Sequence, residues 1–228
     1  MGTFCRFVAV LALLSVLIAC SSIGHGGGLQ GSGSRAVMQV TDLRVKPFLE
    51  KDLLRVNSLA IAPIVTTPQA SLNSGQEREL HQQLASTWGA ELALKLVDLE
   101  SVRQAYTRQH AGTARDRARA MGQDLGVDTV LIPTVTHFEQ RVGSRVGGTR
   151  PAGIGFVLSL VHVTDGQELL GFEYFRRDQA LSENLLRVGD VLERGLGWQT
   201  AEALFVEGVR KSARKFAKLR NREFAKQR

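Results

Sequence analysis

Two histidines are the side chains best suited to acid–base chemistry in this chain of 228 residues. His137 precedes Glu139 by two residues and His162 precedes Asp165 by three, so a carboxylate could orient either ring. Both histidines fall within predicted strands, and no metal-ligand or nucleophile–base spacing connects them. We therefore predict that neighbouring groups satisfy them, with no catalytic residue, no cofactor and no bound metal.

Glycines could also form a nucleotide site, and Gly153-Ile-Gly155 matches part of a dinucleotide-binding fingerprint. The third glycine is missing, and a predicted strand follows where the phosphate would need a helix N-terminus. The chain also has no P-loop, HExxH, CxxC or GxSxG motif. The sequence thus predicts a protein that is not an enzyme. A small-ligand or enzymatic domain around this loop stays an alternative.

The remaining reactive group is the thiol of Cys20, at the end of an apolar N-terminal segment. Arg6 is the only charged residue before it, and residues 7–18 carry no charge. A helix of that length covers about 18 Å, short of the ~30 Å hydrocarbon core, so the segment is typical of a secretory signal. Leu17-Ile-Ala-Cys20 resembles the lipobox of bacterial lipoprotein precursors, whose cysteine is diacylglycerylated before cleavage. An ordinary signal peptide or a poor membrane anchor is the alternative.

Cysteine usage agrees with a lipid anchor on Cys20. The chain has two cysteines, and Cys5 would leave with a signal peptide of residues 1–19. The mature protein could then form no intramolecular disulfide, whereas two or more acyl chains on one residue would anchor it stably. Ser21 follows the cysteine where an aspartate would mark inner-membrane retention. By resemblance to Gram-negative sorting, this favours a lipid-anchored protein of the outer membrane that faces the periplasm.

Residues 20–35 combine the lipidated cysteine with a glycine- and serine-rich stretch, which predicts a flexible tether. Residues 36–228 are then expected to form a single periplasmic domain, because their length suits one domain and 43% of the chain is hydrophobic. Within it, the segment 36–56 gives no clear pattern.

The predicted element order is β-α-β-α-α-β-β-β-α, which indicates an α/β (α+β) fold with a mixed sheet of about five strands and flanking helices. The last three strands can form a meander, with Asp165-Gly166 at a tight hairpin turn. The strands are predicted at residues 58–65, 92–97, 129–138, 154–163 and 167–176. The helices are predicted to follow capping residues Ser74, Asp98, Thr113 and Thr200, the last running over 201–226.

The most informative charge lies in the C-terminal helix. Residues 210–228 hold nine Lys and Arg and one acid, Glu223, a formal +8, whereas the mature chain as a whole carries 28 Lys and Arg against 22 Asp and Glu. At 100° per residue, Phe205, Val209, Ala213, Phe216 and Leu219 form one apolar stripe with the cations opposite. A solvated face is one interpretation, and a surface for an anionic partner is the other. The candidate partner-binding residues are Lys211, Arg214, Lys215, Lys218 and Arg222.

Several short motifs together resemble a family of periplasmic α/β domains. That family includes curli-secretion (CsgG-type) lipoproteins and penicillin-binding-protein activators (LpoB-type), and the similarity covers about residues 55–215. The resemblance implies that Leu-Gly-Val-Asp128 closes a helix before the central strand and that Asp-Gly166 turns a hairpin. The motifs are the lipobox, the tether, Leu-Ala-Ile-Ala-Pro63, Leu-Lys-Leu-Val-Asp98, Leu-Gly-Val-Asp-Thr-Val-Leu-Ile-Pro133 and Val-Thr-Asp-Gly166.

Members of this family mostly act by protein–protein contact, so the resemblance implies an outer-membrane lipoprotein with a periplasmic protein-binding domain. It would act in envelope assembly, in secretion or in regulation of a cell-wall synthase. The expected partners are the membrane, through the lipid, and an envelope protein or another anionic envelope component. Nucleic acid is excluded because the chain is exported, and homo-oligomerisation stays open. A ring- or pore-forming export subunit is the alternative, although arginines 141, 145 and 150 crowd the tip of the one comparable hairpin.

Overall fold

The structure is a computed structural model that describes residues 43–47, 50–92, 94–143, 148–177 and 199–227. The predicted signal peptide, Cys20 and the tether lie outside the described residues. The described chain forms strands β1 (Arg44–Pro47), β2 (Ser58–Ile61), β3 (Val65–Thr66), β4 (Lys95–Leu96), β5 (Thr129–Glu139), β6 (Val142–Gly143), β7 (Gly148–Arg150), β8 (Gly153–His162) and β9 (Glu168–Arg177). Its helices are α1 (Ser74–Glu91), α2 (Leu99–Thr107), α3 (Ala114–Asp124) and α4 (Ala201–Lys226), with a 3-10 helix at Glu50–Arg55.

The sheet is mixed, as the sequence predicts. Its strand order is β1-β9-β8-β5-β2-β4, with β3 pairing β5 beyond the end of β2. Strand β2 runs parallel to β4 and β5, whereas β5, β8 and β9 form the predicted antiparallel meander. The sheet has seven strands in the described chain, not five. The unassigned segment 36–56 contributes β1 at one edge, and Pro63, which has no N–H to donate, divides the predicted strand 58–65 into β2 and β3.

Helix starts follow the predicted capping chemistry with one correction. The first helix is capped by Asn73, not Ser74: Asn73 Oδ1 accepts from Gln76 N at 2.9 Å, and Gln76 Oε1 accepts from Asn73 N at 3.0 Å. Asparagine caps as well as serine, and this frame places a glutamine at the third helical position. Asp98, Thr113 and Thr200 cap the other helices as predicted.

The ends of the helices and strands differ from the prediction more than their types do. The predicted strand 92–97 shortens to the two residues of β4, and the second helix ends at Thr107. Four residues rather than two form the hairpin turn, because His162 N donates to Gln167 O at 2.9 Å across it. Gly166 still has the left-handed, positive φ that the Asp-Gly signal predicts.

Apolar side chains pack on both faces of the sheet. The larger cluster joins α1, α4 and the 3-10 helix to one face, and it includes Leu80, Leu84 and Trp88 of α1. The smaller cluster packs α2 and α3 against the other face. There Ala105 is buried, whereas Tyr106 and Leu125 are half-buried and pack against the cluster.

Asp128 forms hydrogen bonds that join β2 and β5 at the end of the sheet where both strands begin. Its Oδ2 accepts from Ser58 N at 3.1 Å, Ser58 Oγ at 3.0 Å and Asn57 N at 3.2 Å. Its own N–H is satisfied by Ser58 Oγ at 2.9 Å. One carboxylate oxygen therefore satisfies two main-chain donors of the chain entering β2. This contact gives a physical reason for an aspartate at the end of Leu-Gly-Val-Asp128.

Candidate functional site: the basic face of the C-terminal helix

The helix α4 lies rigidly on the sheet, so its outer face has a fixed position. All five residues of the predicted apolar stripe are buried. Phe216 lies with its ring centroid 5.7 Å from that of Trp88, and Phe205 packs edge-on against Phe156 at 5.2 Å. At Gly208 the helix approaches the sheet so closely that a Cβ would lie 2.5 Å from Tyr174 Cδ1. The cations opposite are therefore held on a well-packed scaffold.

Three of the five predicted binding residues lie close to acids of the same domain, and two of these three are in the first half of the face. Lys211 Nζ lies 3.0 Å from Glu207 Oε1, and the same oxygen lies 2.6 Å from Arg176 Nη1. Arg214 Nε lies 3.1 Å from Glu91 Oε1 at the end of α1. These pairs offset part of the charge on the first half of the face, although the Arg214 side chain stays 67% exposed.

Three cations on the outer face have no acidic partner in the described part of the chain: Arg210, Lys215 and Lys218, all exposed. Lys215 and Lys218 belong to the predicted set, whereas Arg210 does not. Helical spacing places Arg210 on the same face, but the sequence does not reveal which cations are paired. The unpaired charge lies along the middle of the helix.

The last turn of α4 is built around a buried acid. Glu223 is 5% exposed and lies seven residues after Phe216, which places it on the stripe rather than on the basic face. Lys226 Nζ lies 2.6 Å from Glu223 Oε1 and Arg222 Nε lies 3.7 Å from the same oxygen. Arg222, the fifth predicted binding residue, is thus exposed and also close to an acid, with 54% of its side chain accessible.

An exposed aromatic residue accompanies these charges. Phe224 is 43% exposed, and the Arg220 guanidinium lies 5.1 Å from its ring centroid. Burial lowers the pKa of Arg220, whose stem packs along the helix flank. Phe224 is not among the residues predicted from the sequence. Its position at the edge of the apolar stripe, in the last turn, is the signal that could have found it.

The two strand histidines lie far apart, and only His162 is satisfied locally as predicted, whereas His137 Nε2 is buried without a hydrogen-bond partner in the described part of the chain. His162 Nδ1 is 2.9 Å from Asp165 Oδ1, and His137 Nε2 is 3.6 Å from Glu139 Oε2. His162 is opposite Thr129 at the start of β5, whereas His137 lies near the other end of that strand. A hydrogen bond from Gln167 N is the main cause that lowers the pKa of Asp165, followed by its bond with His162. Neither the separation nor the partners suit joint catalysis.

His81 is a third histidine with a defined role, joining α1 to β2. Its Nε2 lies 2.9 Å from Ile61 O, and its ring is half-buried beside the apolar stripe of α1. Burial lowers its pKa, and the hydrogen bond to Ile61 opposes this only in part. His81 is therefore a packing residue.

The lowered pKa of His81 predicts a pH dependence of stability. The unfolded chain binds a proton at this ring with a pKa of about 6.5, and the folded chain binds it only at lower pH. The free energy of unfolding should therefore fall as pH drops below about 6.5. Urea unfolding at pH 7.5 and 5.0 measures this. His81→Gln keeps a donor for Ile61 O and should show a smaller decrease; an equal decrease would contradict the assignment.

Neither a metal cluster nor a membrane-spanning helix occurs among the described residues. No group of three or more His, Cys, Asp or Glu side chains could hold a metal ion in that part of the chain. No helix within the described ranges is long and apolar enough to cross a bilayer.

Comparison with known proteins finds similar solved structures but no matching family. No protein-family model and no curated protein matches this chain. Among solved structures, the PelC dodecamer of Paraburkholderia phytofirmans is 12% identical, with a TM-score of 0.47, and covers 76% of this chain and 95% of its own. Lipoprotein GNA1162 of Neisseria meningitidis is 20% identical, with a TM-score of 0.39, and covers 60% of this chain and 92% of its own.

The LpoB C-terminal domain of Salmonella enterica is also similar, at 15% identity and a TM-score of 0.38, covering 57% of this chain and 93% of its own. LpoB is one of the two types to which the sequence motifs pointed. The curli-secretion type has no support from these structures. Because these similarities are weak in both structure and sequence, we draw no inference about function from them.

Proposed function

We propose that this protein is a lipid-anchored outer-membrane protein whose periplasmic α/β domain acts by binding another protein of the envelope. Its role would lie in envelope assembly, secretion or regulation of a cell-wall synthase. The basic face of α4 is the binding surface, and the partner presents acidic side chains to it. The observation that carries this proposal is the row of exposed, unpaired cations Arg210, Lys215 and Lys218 on a rigidly packed helix.

Electrostatics and rigidity both support this surface. A helix that is ordered before binding loses little conformational entropy on association, so more of the interaction energy contributes to affinity. Concentrated positive charge also accelerates encounter with an acidic surface. Cations already paired within the domain contribute less, because Lys211 and Arg214 would have to exchange Glu207 and Glu91 for the partner's carboxylates.

The proposal is tested by removing only the unpaired charges. In Arg210→Gln/Lys215→Gln/Lys218→Gln, the long side chains remain and no acid loses its partner, so stability should change by less than about 0.5 kcal/mol. Affinity for the envelope partner should fall about tenfold, or roughly 0.5 kcal/mol per charge. Co-purification from solubilised envelopes, titrated against salt, measures the loss.

The matched control is Arg78→Gln/Arg108→Gln, which removes exposed arginines from α1 and from the residue after α2. It should bind the partner as the unaltered protein does, and binding by both should weaken as salt rises. Unchanged, salt-insensitive binding by the triple variant would show that the face is merely solvated. A closed ring of subunits on native mass spectrometry would favour the export-subunit alternative.

A further inference from the structure

The C-terminal end of α4 lies at one defined end of the sheet. Gln140, just after β5, bonds Glu202 in the first turn of α4, and Arg176 near the end of β9 pairs with Glu207. The helix therefore begins where β5 ends and runs toward the end where β5 begins. Strand β2 begins at that same end, parallel to β5, and the 3-10 helix that packs on α4 immediately precedes β2.

This end of the molecule combines an exposed ring with several cations. Of the described residues, only two large apolar side chains are exposed, Val142 at 49% and Phe224 at 43%. Arg222 and Lys226 lie in the same last turn as Phe224 but on the opposite side of the helix, and the 3-10 helix adds the exposed Lys51 and Arg55, of which Arg55 pairs with Asp52. Arg220 packs on the ring and holds it in place.

An exposed apolar ring and several exposed cations around the end of one helix match the interface of an anionic bilayer that this end meets head-on. Aromatic side chains partition into the headgroup region, and lysine and arginine near the surface are attracted to acidic lipids. The rest of the apolar stripe is buried in the core, so the helix can rest on a bilayer but cannot insert into it. An acidic protein would satisfy the cations, but the exposed aromatic at the helix tip favours a lipid surface.

We propose that the C-terminal end of α4 docks on an anionic phospholipid surface, with Phe224 among the headgroups and Arg222 and Lys226 on the lipid phosphates. This inference rests on the proposed function in one respect, since lipid on Cys20 would keep a bilayer within reach. When fully extended, the chain from Cys20 to Leu43 spans at most about 80 Å, and a shorter span of it would let the C-terminal end of α4 reach that bilayer. Docking would orient the middle of α4, with Arg210 and Lys215, toward a partner beside the membrane.

The test measures binding of the mature chain, residues 20–228 with Cys20→Ala, to vesicles. This chain contains every described residue and cannot be acylated. The protein should co-sediment with vesicles of phosphatidylglycerol and phosphatidylethanolamine, but not with vesicles of phosphatidylcholine alone. Raising salt from 0.05 to 0.5 M should weaken the binding at least about tenfold. In Phe224→Trp, fluorescence should shift to the blue on anionic vesicles and be quenched by brominated lipid.

Paired variants distinguish the contribution of this end of the molecule to vesicle binding from a general effect of charge or hydrophobicity. Phe224→Ser should weaken vesicle binding about fivefold, whereas Val142→Ser, at the opposite end of the sheet, should not. Arg222→Gln leaves Lys226 to pair with Glu223 and should also weaken binding about fivefold, whereas Arg78→Gln should have no effect.

Equal binding to both kinds of vesicle would overturn the inference, as would variants at Phe224 and Arg222 that bind normally. A Phe224→Trp emission that responds to a purified acidic protein partner, and not to anionic vesicles, would assign this end to a protein interface instead. These outcomes are independent of the proposed function. Failure to bind vesicles leaves lipidation of Cys20 and the charge-dependent partner binding to be judged by their own experiments.

Discussion

Replacing Phe216 with alanine is expected to lower the free energy of unfolding by about 3–5 kcal/mol. The side chain is fully buried between α4, α1 and the sheet, next to Trp88, which itself packs edge-on against Phe172 at 6.2 Å. Truncation would leave a cavity lined by large rings that cannot easily collapse into it. The loss could approach the whole stability of a domain, which is typically ~5–15 kcal/mol.

Phe224→Ala is the matched control for this substitution. It makes the same change two turns later in the same helix, but on a ring that is 43% exposed. Little cavity can form there, so the cost should be about 1 kcal/mol, including the lost contact with Arg220. Urea unfolding of both variants, followed by tryptophan fluorescence and by circular dichroism, gives the comparison. Equal losses would mean that Phe216 does not carry the docking of α4.

Replacing Cys20 with alanine is expected to abolish lipid attachment altogether. The thiol is the acceptor of the diacylglyceryl group in the predicted lipobox, and no other cysteine would remain in the mature chain. Labelled palmitate should therefore be incorporated into the unaltered protein and not into the variant. The variant should also fail to mature normally and should leave the outer-membrane fraction, because no acyl chains hold it there.

Cys5→Ala is the control, since Cys5 would be removed with the signal peptide. It should be labelled, processed and localised as the unaltered protein is. If Cys20→Ala still incorporates fatty acid and partitions with the outer membrane, the lipoprotein interpretation is wrong. If both variants lose the label, the chain is acylated or processed differently from the lipobox prediction.

Local patterns in the sequence were enough to predict most element types. Helix starts depend on side chains within three residues of the cap, so Asp98, Thr113 and Thr200 could be identified directly. The buried stripe of α4 follows from helical periodicity alone. The meander of β5, β8 and β9 follows from short connections between neighbouring strands. Each of these features is decided by residues close together in the chain.

The features that local patterns did not predict depend on contacts between segments far apart in the sequence. Strand β1 is short and mostly polar, and it exists because its backbone pairs with β9, far away in the sequence. The order of the seven strands and the hydrogen bond between Asp128 and Ser58 also depend on contacts between segments far apart in the sequence. Sequence could place five candidate cations on one helix face, but the pairing of Arg214 with Glu91 depends on how α1 lies beside α4.

The sequence therefore determines some properties of the candidate surface, and the tertiary structure determines the others. Its charge and its helical spacing are properties of the sequence, since an exposed lysine is charged at neutral pH and a helix has the same period wherever it lies. Packing decides which of these cations have no acidic partner among the described residues and which side chains are buried. Lys215 and Lys218 are exposed, Glu223 is buried, and Phe224 is partly exposed at the edge of the apolar stripe. A residue's burial depends on elements brought next to it by folding, and only the tertiary structure specifies those.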